Sequence, residues 1–215
     1  MNSEVKSDKW LQRALYLSVF TIGYNLVEGG VSTWFGASDE TLALFGFGAD
    51  SFVEVLSGIG ILHMVMRMKR SPVTSHDRFE RVALRITGIA FYLLTFGLII
   101  GAALSVVSAA TPHTTLPGII ISVLSILIMY ALYKSKLRAG QELDSPAIVS
   151  DARCTLTCFY LSFILLASSL LYHLFKLPYI DALGSLGIAW YAFKEGREAF
   201  EKARSGNMTC SDDCC

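Results

Sequence analysis

The sequence predicts an all-α polytopic membrane protein with six transmembrane helices and both termini in the cytoplasm. Three observations carry that reading: a shortage of charge, six long apolar runs, and a one-sided distribution of basic residues. Of the 215 residues, 53% are apolar and 17% charged, with a mean hydropathy of +0.50. A soluble domain carries about 25% charged residues, so the deficit points to lipid as the main solvent. The formal net charge is zero, and the bulk balance offers nothing to a nucleic acid.

Crossing a bilayer takes roughly 20 residues of helix. The apolar runs cover residues 14–35, 42–65, 86–109, 116–133, 149–174 and 179–192. The last is short, and its helix is expected to continue into the charged stretch 194–204. The first is too long for the core of a signal peptide. It contains Asn25 and Glu28, and no small-residue cleavage site follows it.

Short loops rich in Lys and Arg stay in the cytoplasm. Lys6, Lys9 and Arg13 precede the first run, and Arg67, Lys69, Arg70, Arg78, Arg81 and Arg85 separate the second from the third. Lys134, Lys136, Arg138 and Arg153 lie between the fourth and fifth or just inside the fifth, and Lys194, Arg197, Lys202 and Arg204 follow the sixth. Only Lys176 falls on the other side. A missed span would break this alternation, so it supports the count as well as the orientation. With no transit-peptide pattern, the expected home is the plasma (inner) membrane of a bacterium. Residues 1–203 form the six-helix domain and 204–215 a short Cys/Asp-rich cytoplasmic tail.

Four carboxylates fall inside these runs, at Glu28, Asp50, Glu54 and Asp181, and no Lys or Arg is predicted deep in a span to neutralise them. Acids within a membrane are costly and mark ion paths or proton relays. Either they are protonated or a cation visits them. Asp50 and Glu54 are four residues apart, so on a helix they share one face about 6 Å apart along the axis. Gly46, Gly48 and Gly58 flank them and let neighbouring backbones approach.

The fifth run opens SDARCTLTCFYLS, which sets Cys154 and Cys158 at the same spacing. Two thiolates one turn apart can grip an ion from one side, although buried cysteines also serve as plain packing groups. A disulfide between them is disfavoured, because i,i+4 side chains on an intact helix rarely meet bridge geometry. The tail adds Cys210, Cys214 and Cys215 beside Asp212 and Asp213. It reads either as a collector of soft metal ions or as a disordered end. His63, His76, His113 and His173 are scattered toward span ends and loops. No Ser-His-acid arrangement follows from them, and an enzyme is not expected.

The stretch YNLVEGGVSTWFGASDETLALFGFGADSFVEVLSG resembles the first two membrane helices of the cation diffusion facilitator (cation efflux) family. There, the second helix bears His or Asp four residues before Asp, the positions that Asp50 and Glu54 occupy. The stretch DARCTLTCFYLSFILLASSLLYHLFKLPYIDALGSLGIAWYAFKEG resembles the family's fifth and sixth helices. Cys154 and Cys158 fall on its fifth-helix His and Asp, and Asp181 resembles the start of its sixth helix.

The resemblance implies a roughly tetrahedral metal site of Asp50, Glu54, Cys154 and Cys158 near the membrane centre. It implies alternating-access efflux of a divalent cation, usually against inward proton flow. Asn25, Glu28 and Asp181 would shape the ion path or the surroundings of the site, and Asp151, one turn before Cys154, would gate it from the cytoplasm. Two cysteines in place of His and Asp shift the preference toward soft ions such as Zn²⁺, Cd²⁺ or Hg²⁺. A cysteine is a ligand only as thiolate, so metal entry releases protons, and the thiols take the place of the family's proton-accepting His.

The family's usual cytoplasmic C-terminal domain is expected to be absent, which puts dimerisation through it in doubt. Gly97 and Gly101 offer a G-x-x-x-G surface for a homodimer through membrane helices, or for an intramolecular contact. Two other readings compete. One is a non-transporting metal sensor or chaperone. The other is a membrane thiol oxidoreductase using Cys154 and Cys158, which leaves Asp50 and Glu54 unexplained.

Overall fold

The computed structural model describes residues 2–38, 41–70, 78–108, 116–176 and 179–205. Among them the chain is all-helical, with six helices: α1 (Asn2–Ser38), α2 (Leu42–Arg70), α3 (Arg78–Ser108), α4 (Leu116–Glu142), α5 (Pro146–Phe175) and α6 (Tyr179–Ser205). The thiols expected in the tail, at Cys210, Cys214 and Cys215, lie outside the described residues.

The helices run past the predicted apolar limits because backbone hydrogen bonding does not stop where hydropathy does. The fourth run ends at 133 in the sequence reading, yet α4 continues to Glu142. Its last turns bury Lys136, Ala139 and Gly140. α5 follows after a tight turn in which Asp144 takes a positive φ of 48°, Ser145 N donates to Gly140 O at 2.9 Å, and Pro146 opens the helix. Proline suits a first turn because its missing N–H would be unpaired there anyway.

The molecule is turned inside out relative to a water-soluble bundle. On α1, Ser18, Thr21, Asn25, Glu28 and Ser32 recur every three or four residues and all are buried, while Tyr16, Phe20, Val27 and Trp34 are exposed. On α4, Ser122, Ser125, Met129, Leu132 and Lys136 face inward, and Ile120, Val123, Leu124 and Leu127 face out. Polar groups collect inside, where they can pair, and apolar groups cover the outside, as a bilayer requires.

By length and composition, four stretches among the described residues can cross a membrane: Leu42–Met66, Gly88–Val107, Leu116–Glu142 and Asp151–Phe175. α1 and α6 are not among them. Their inward faces carry the stripe just named and, on α6, Asp181, Ser185 and Glu198, which lowers their hydropathy although their outward faces are apolar.

Packing centres on α2, which touches α1, α3, α5 and α6, while α1 with α2, α3 with α6 and α4 with α5 form the most extensive pairs. One apolar cluster joins α2, α3, α5 and α6 through Leu44, Phe47, Leu98, Leu161, Leu165 and Ile188. A second, of Met129, Leu132 and Cys158, ties α4 to α5 and has Leu17 and Tyr24 of α1 packed on it.

Glycines set the closest approaches. A Cβ on Gly48 would lie 2.6 Å from Thr33 N and 2.8 Å from Ser32 Cβ, so the α1–α2 contact excludes any side chain there. Of the G-x-x-x-G pair on α3, Gly101 is packed against Leu42 of α2, whereas Gly97 faces open space. The two glycines therefore do not make one outward surface, and Gly101 serves an intramolecular contact.

Widening Gly48 should wedge α1 from α2. Gly48→Val is expected to lower the thermal midpoint in detergent by an amount equivalent to about 1–3 kcal/mol or more. Gly23→Ala, where an added Cβ would meet nothing within 4 Å, should leave it unchanged or raise it slightly.

Candidate functional site

Asp50 and Glu54 sit one turn apart on α2, and both are buried. Because α2 is enclosed by four other helices, these carboxylates face protein. Opposite them on α5 is Cys158, also buried, whose Sγ donates to Asp50 Oδ2 across 3.7 Å. The same thiol is near enough to Glu54 for the two to interact electrostatically. Neither Glu54 oxygen meets hydrogen-bond geometry with a donor, although the Cys158 thiol and the Lys136 charge both act on it. A buried carboxylate left without donors costs more than almost any other unmet polar group. The structure thus holds a carboxylate ready to be satisfied, beside an acid and a thiol from a second helix.

Around this cluster the α1 stripe supplies further polar groups. Tyr24 donates to Glu28 Oε1 at 2.6 Å, and Ser51, next to Asp50, donates to Glu28 Oε2 at 3.1 Å. Glu28 is thereby tied to the helix that carries Asp50. Asn25 donates from Nδ2 to Thr21 O at 3.0 Å, and its buried Oδ1 has no partner. On the other side, Ser162 bonds Ser125 of α4 at 2.9 Å and Cys158 O at 2.8 Å.

The other predicted residues are placed differently. Cys154 is part-buried one turn before Cys158 and within electrostatic range of Lys136. Among the described residues, no group of three or more His, Cys, Asp or Glu side chains is gathered tightly enough to hold a metal ion. The four proposed ligands are therefore not a preassembled shell, and the direct contact is between Asp50 and Cys158. Asp151 is ion-paired to Lys136, with Nζ 2.9 Å from Oδ2. Asp181 accepts from the first backbone amides of α2, Leu42 N at 2.7 Å and Ala43 N at 3.2 Å. It acts as a cap supplied by another helix, eight residues and about 12 Å along α2 from Asp50.

Lys136 corrects the expectation that no basic residue lies deep enough to offset these acids. It is buried on α4, donates to Thr155 Oγ1 at 2.9 Å, and its charge reaches Glu54 as well as Asp151. In the sequence it stands among Lys134 and Arg138 and looks like part of a solvated basic loop. The signal was its register: Ser125, Met129, Leu132, Lys136 and Ala139 continue one buried stripe at three- and four-residue steps.

Glu195 was also missed. It lies beyond the sixth apolar run, part-buried, with Thr157 Oγ1 donating to its Oε1 at 3.0 Å, and its charge is felt at Asp50. Its inward register shows only when the buried stripe of α6, through Ala192, Gly196, Ala199 and Ala203, is followed past the apolar run.

Residues 14–206 match the cation efflux transmembrane domain. The chain belongs to the cation efflux family. No curated protein matches it. The match takes in all six helices and every residue of the cluster, and it agrees with the resemblance drawn from the two sequence stretches. Cation efflux proteins move metal cations across membranes and are transporters rather than enzymes, so this chain is an integral membrane protein of metal cation transport.

Proposed function

We propose that this cation efflux protein exports a thiophilic divalent cation, zinc or cadmium, from the cytoplasm in exchange for protons. Its site is built on Asp50, Glu54 and Cys158, with Cys154 completing the shell when the ion is bound. One observation carries the reading: a thiol on α5 touches a carboxylate on α2 beside a second buried carboxylate whose two oxygens meet no hydrogen-bond geometry. Soft sulfur with two hard oxygens suits zinc or cadmium and disfavours magnesium or manganese. Loading the ion requires the cysteines as thiolates, so binding expels protons, and a more acidic outer face would return them.

The proposal includes six membrane-crossing helices with both termini in the cytoplasm of a bacterial cell. The outward apolar faces of α1 and α6, including Tyr16, Phe20, Trp34, Leu183, Leu186 and Trp190, support counting those helices as spans. The clustering of basic residues on one side supports the orientation. Placing a protease site or an accessible cysteine at either terminus, in sealed inside-out vesicles, tests the orientation.

The function is tested in proteoliposomes with an imposed pH gradient and in detergent by titration with Cd²⁺. The parent should develop thiolate-to-cadmium absorbance at one equivalent and accumulate Cd²⁺ or Zn²⁺ against the proton gradient. Asp50→Asn and Cys158→Ser should each weaken binding at least tenfold, about 1.4 kcal/mol, and abolish uptake. Stoichiometric binding without uptake would favour a sensor or chaperone. Unaltered uptake by Cys154→Ser/Cys158→Ser would sink the site.

A further inference from the structure

Lys136 is not explained by transport chemistry alone. Its ammonium is almost entirely buried between α4 and α5, 2.9 Å from Asp151 Oδ2 and 2.9 Å from Thr155 Oγ1, with Thr155 itself donating back to Asp151 O at 3.2 Å. Burying such a pair brings little net stability, because the desolvation of both ions offsets their attraction. Two apolar side chains of similar size would hold α4 to α5 as well. Its placement is the informative feature. Asp151, Cys154, Thr155 and Cys158 follow one another along a single face of α5, and the Lys136 charge reaches both Glu54 on α2 and Cys154 on α5. A positive charge thus acts on the carboxylate whose oxygens meet no hydrogen-bond geometry.

We propose that the Lys136 ammonium is a tethered counter-cation of the transport site, weakening its hold on the transported ion so that the ion can leave. The inference rests on the reading of Asp50, Glu54 and Cys158 as that site. A carrier must bind its ion well enough to load and weakly enough to release it. Carboxylates and thiols in a low-dielectric interior would hold a thiophilic divalent ion too firmly for turnover. A buried lysine held by Asp151 and Thr155 supplies a fixed opposing charge. Asp151 and Thr155 hold the ammonium beside the site but off the ligand positions, and in the empty state it partly neutralises Glu54. Asp151 is then a positioning residue for Lys136 rather than a gate acting on the metal.

The experiment compares Cd²⁺ affinity, read by thiolate-to-cadmium absorbance in competition with a chelator, for the parent, Lys136→Arg, Lys136→Met and Lys136→Met/Asp151→Asn. The double variant guards against misfolding caused by a lone buried Asp151, and a thermal unfolding scan accompanies each protein. Removing one nearby positive charge should tighten Cd²⁺ binding roughly tenfold in Lys136→Met and by less in the double variant. Lys136→Arg should stay near the parent. In proteoliposomes the tighter variants should show a lower KM together with a lower kcat, as slow release demands. A merely structural lysine would leave affinity unchanged in a stably folded double variant, and that result, or weaker binding, overturns the proposal. If the parent binds no Cd²⁺, or Cys158→Ser does not alter its binding, the site reading itself has failed and the Lys136 inference falls with it. Normal parent binding sensitive to Cys158→Ser, with Lys136 variants indistinguishable from it, refutes Lys136 alone.

Discussion

The contact between α2 and α5 at Asp50 and Cys158 sets a hard oxygen against a soft sulfur inside the bundle, and the proposed site depends on it. The approach depends on the packing of α2, which is held on one side by α1 through Gly48 and on the other by Leu44 and Phe47 among the side chains of α3, α5 and α6. Asp181 fixes the beginning of the same helix by capping its first amides. Four neighbouring helices thus determine where one turn of α2 presents its two acids.

Charge inside the bundle is balanced locally rather than excluded. Glu28 is satisfied by Tyr24 and Ser51, Asp151 by Lys136, Asp181 by backbone amides, and Asp50 by a thiol. Glu54 stands apart, with both oxygens buried and meeting no hydrogen-bond geometry. Buried polar groups are nearly always hydrogen-bonded, so an exception beside a thiol and a second acid is where a visiting cation gains most. In the proposed site, the low dielectric that makes an unbonded carboxylate costly would also hold a bound cation tightly, which is why a nearby ammonium bears on the proposal.

Much of this was legible beforehand. The apolar runs marked all six helices, and the i,i+4 spacing of Asp50 with Glu54 and of Cys154 with Cys158 told which side chains share a helix face, because helix periodicity is fixed by backbone geometry. The flanking glycines announced close helix contacts, and Gly46 and Gly48 do lie where a Cβ would collide with Leu98 and with Ser32 and Thr33. Helix ends were less legible, since hydropathy follows side chains whereas a helix persists as long as its backbone is bonded and its face covered. Lys136 and Glu195 were misread for that reason, each lying in a charged stretch whose inward register appears only when the buried stripe is followed past the apolar run.

By itself the sequence determined an all-helical chain suited to lipid, its cation efflux kinship, and which acids and thiols share a helix face. Those properties are local or compositional, set by a few residues of the same segment. Only the tertiary structure decided which faces meet. It set Cys158 against Asp50 and brought Cys154 within reach of the Lys136 charge. It also showed Asp181 capping the first amides of α2 and buried an ammonium whose charge acts on Glu54. Partners between helices come from residues as many as 139 positions apart, and no spacing rule within one segment encodes their distance; side-chain packing does.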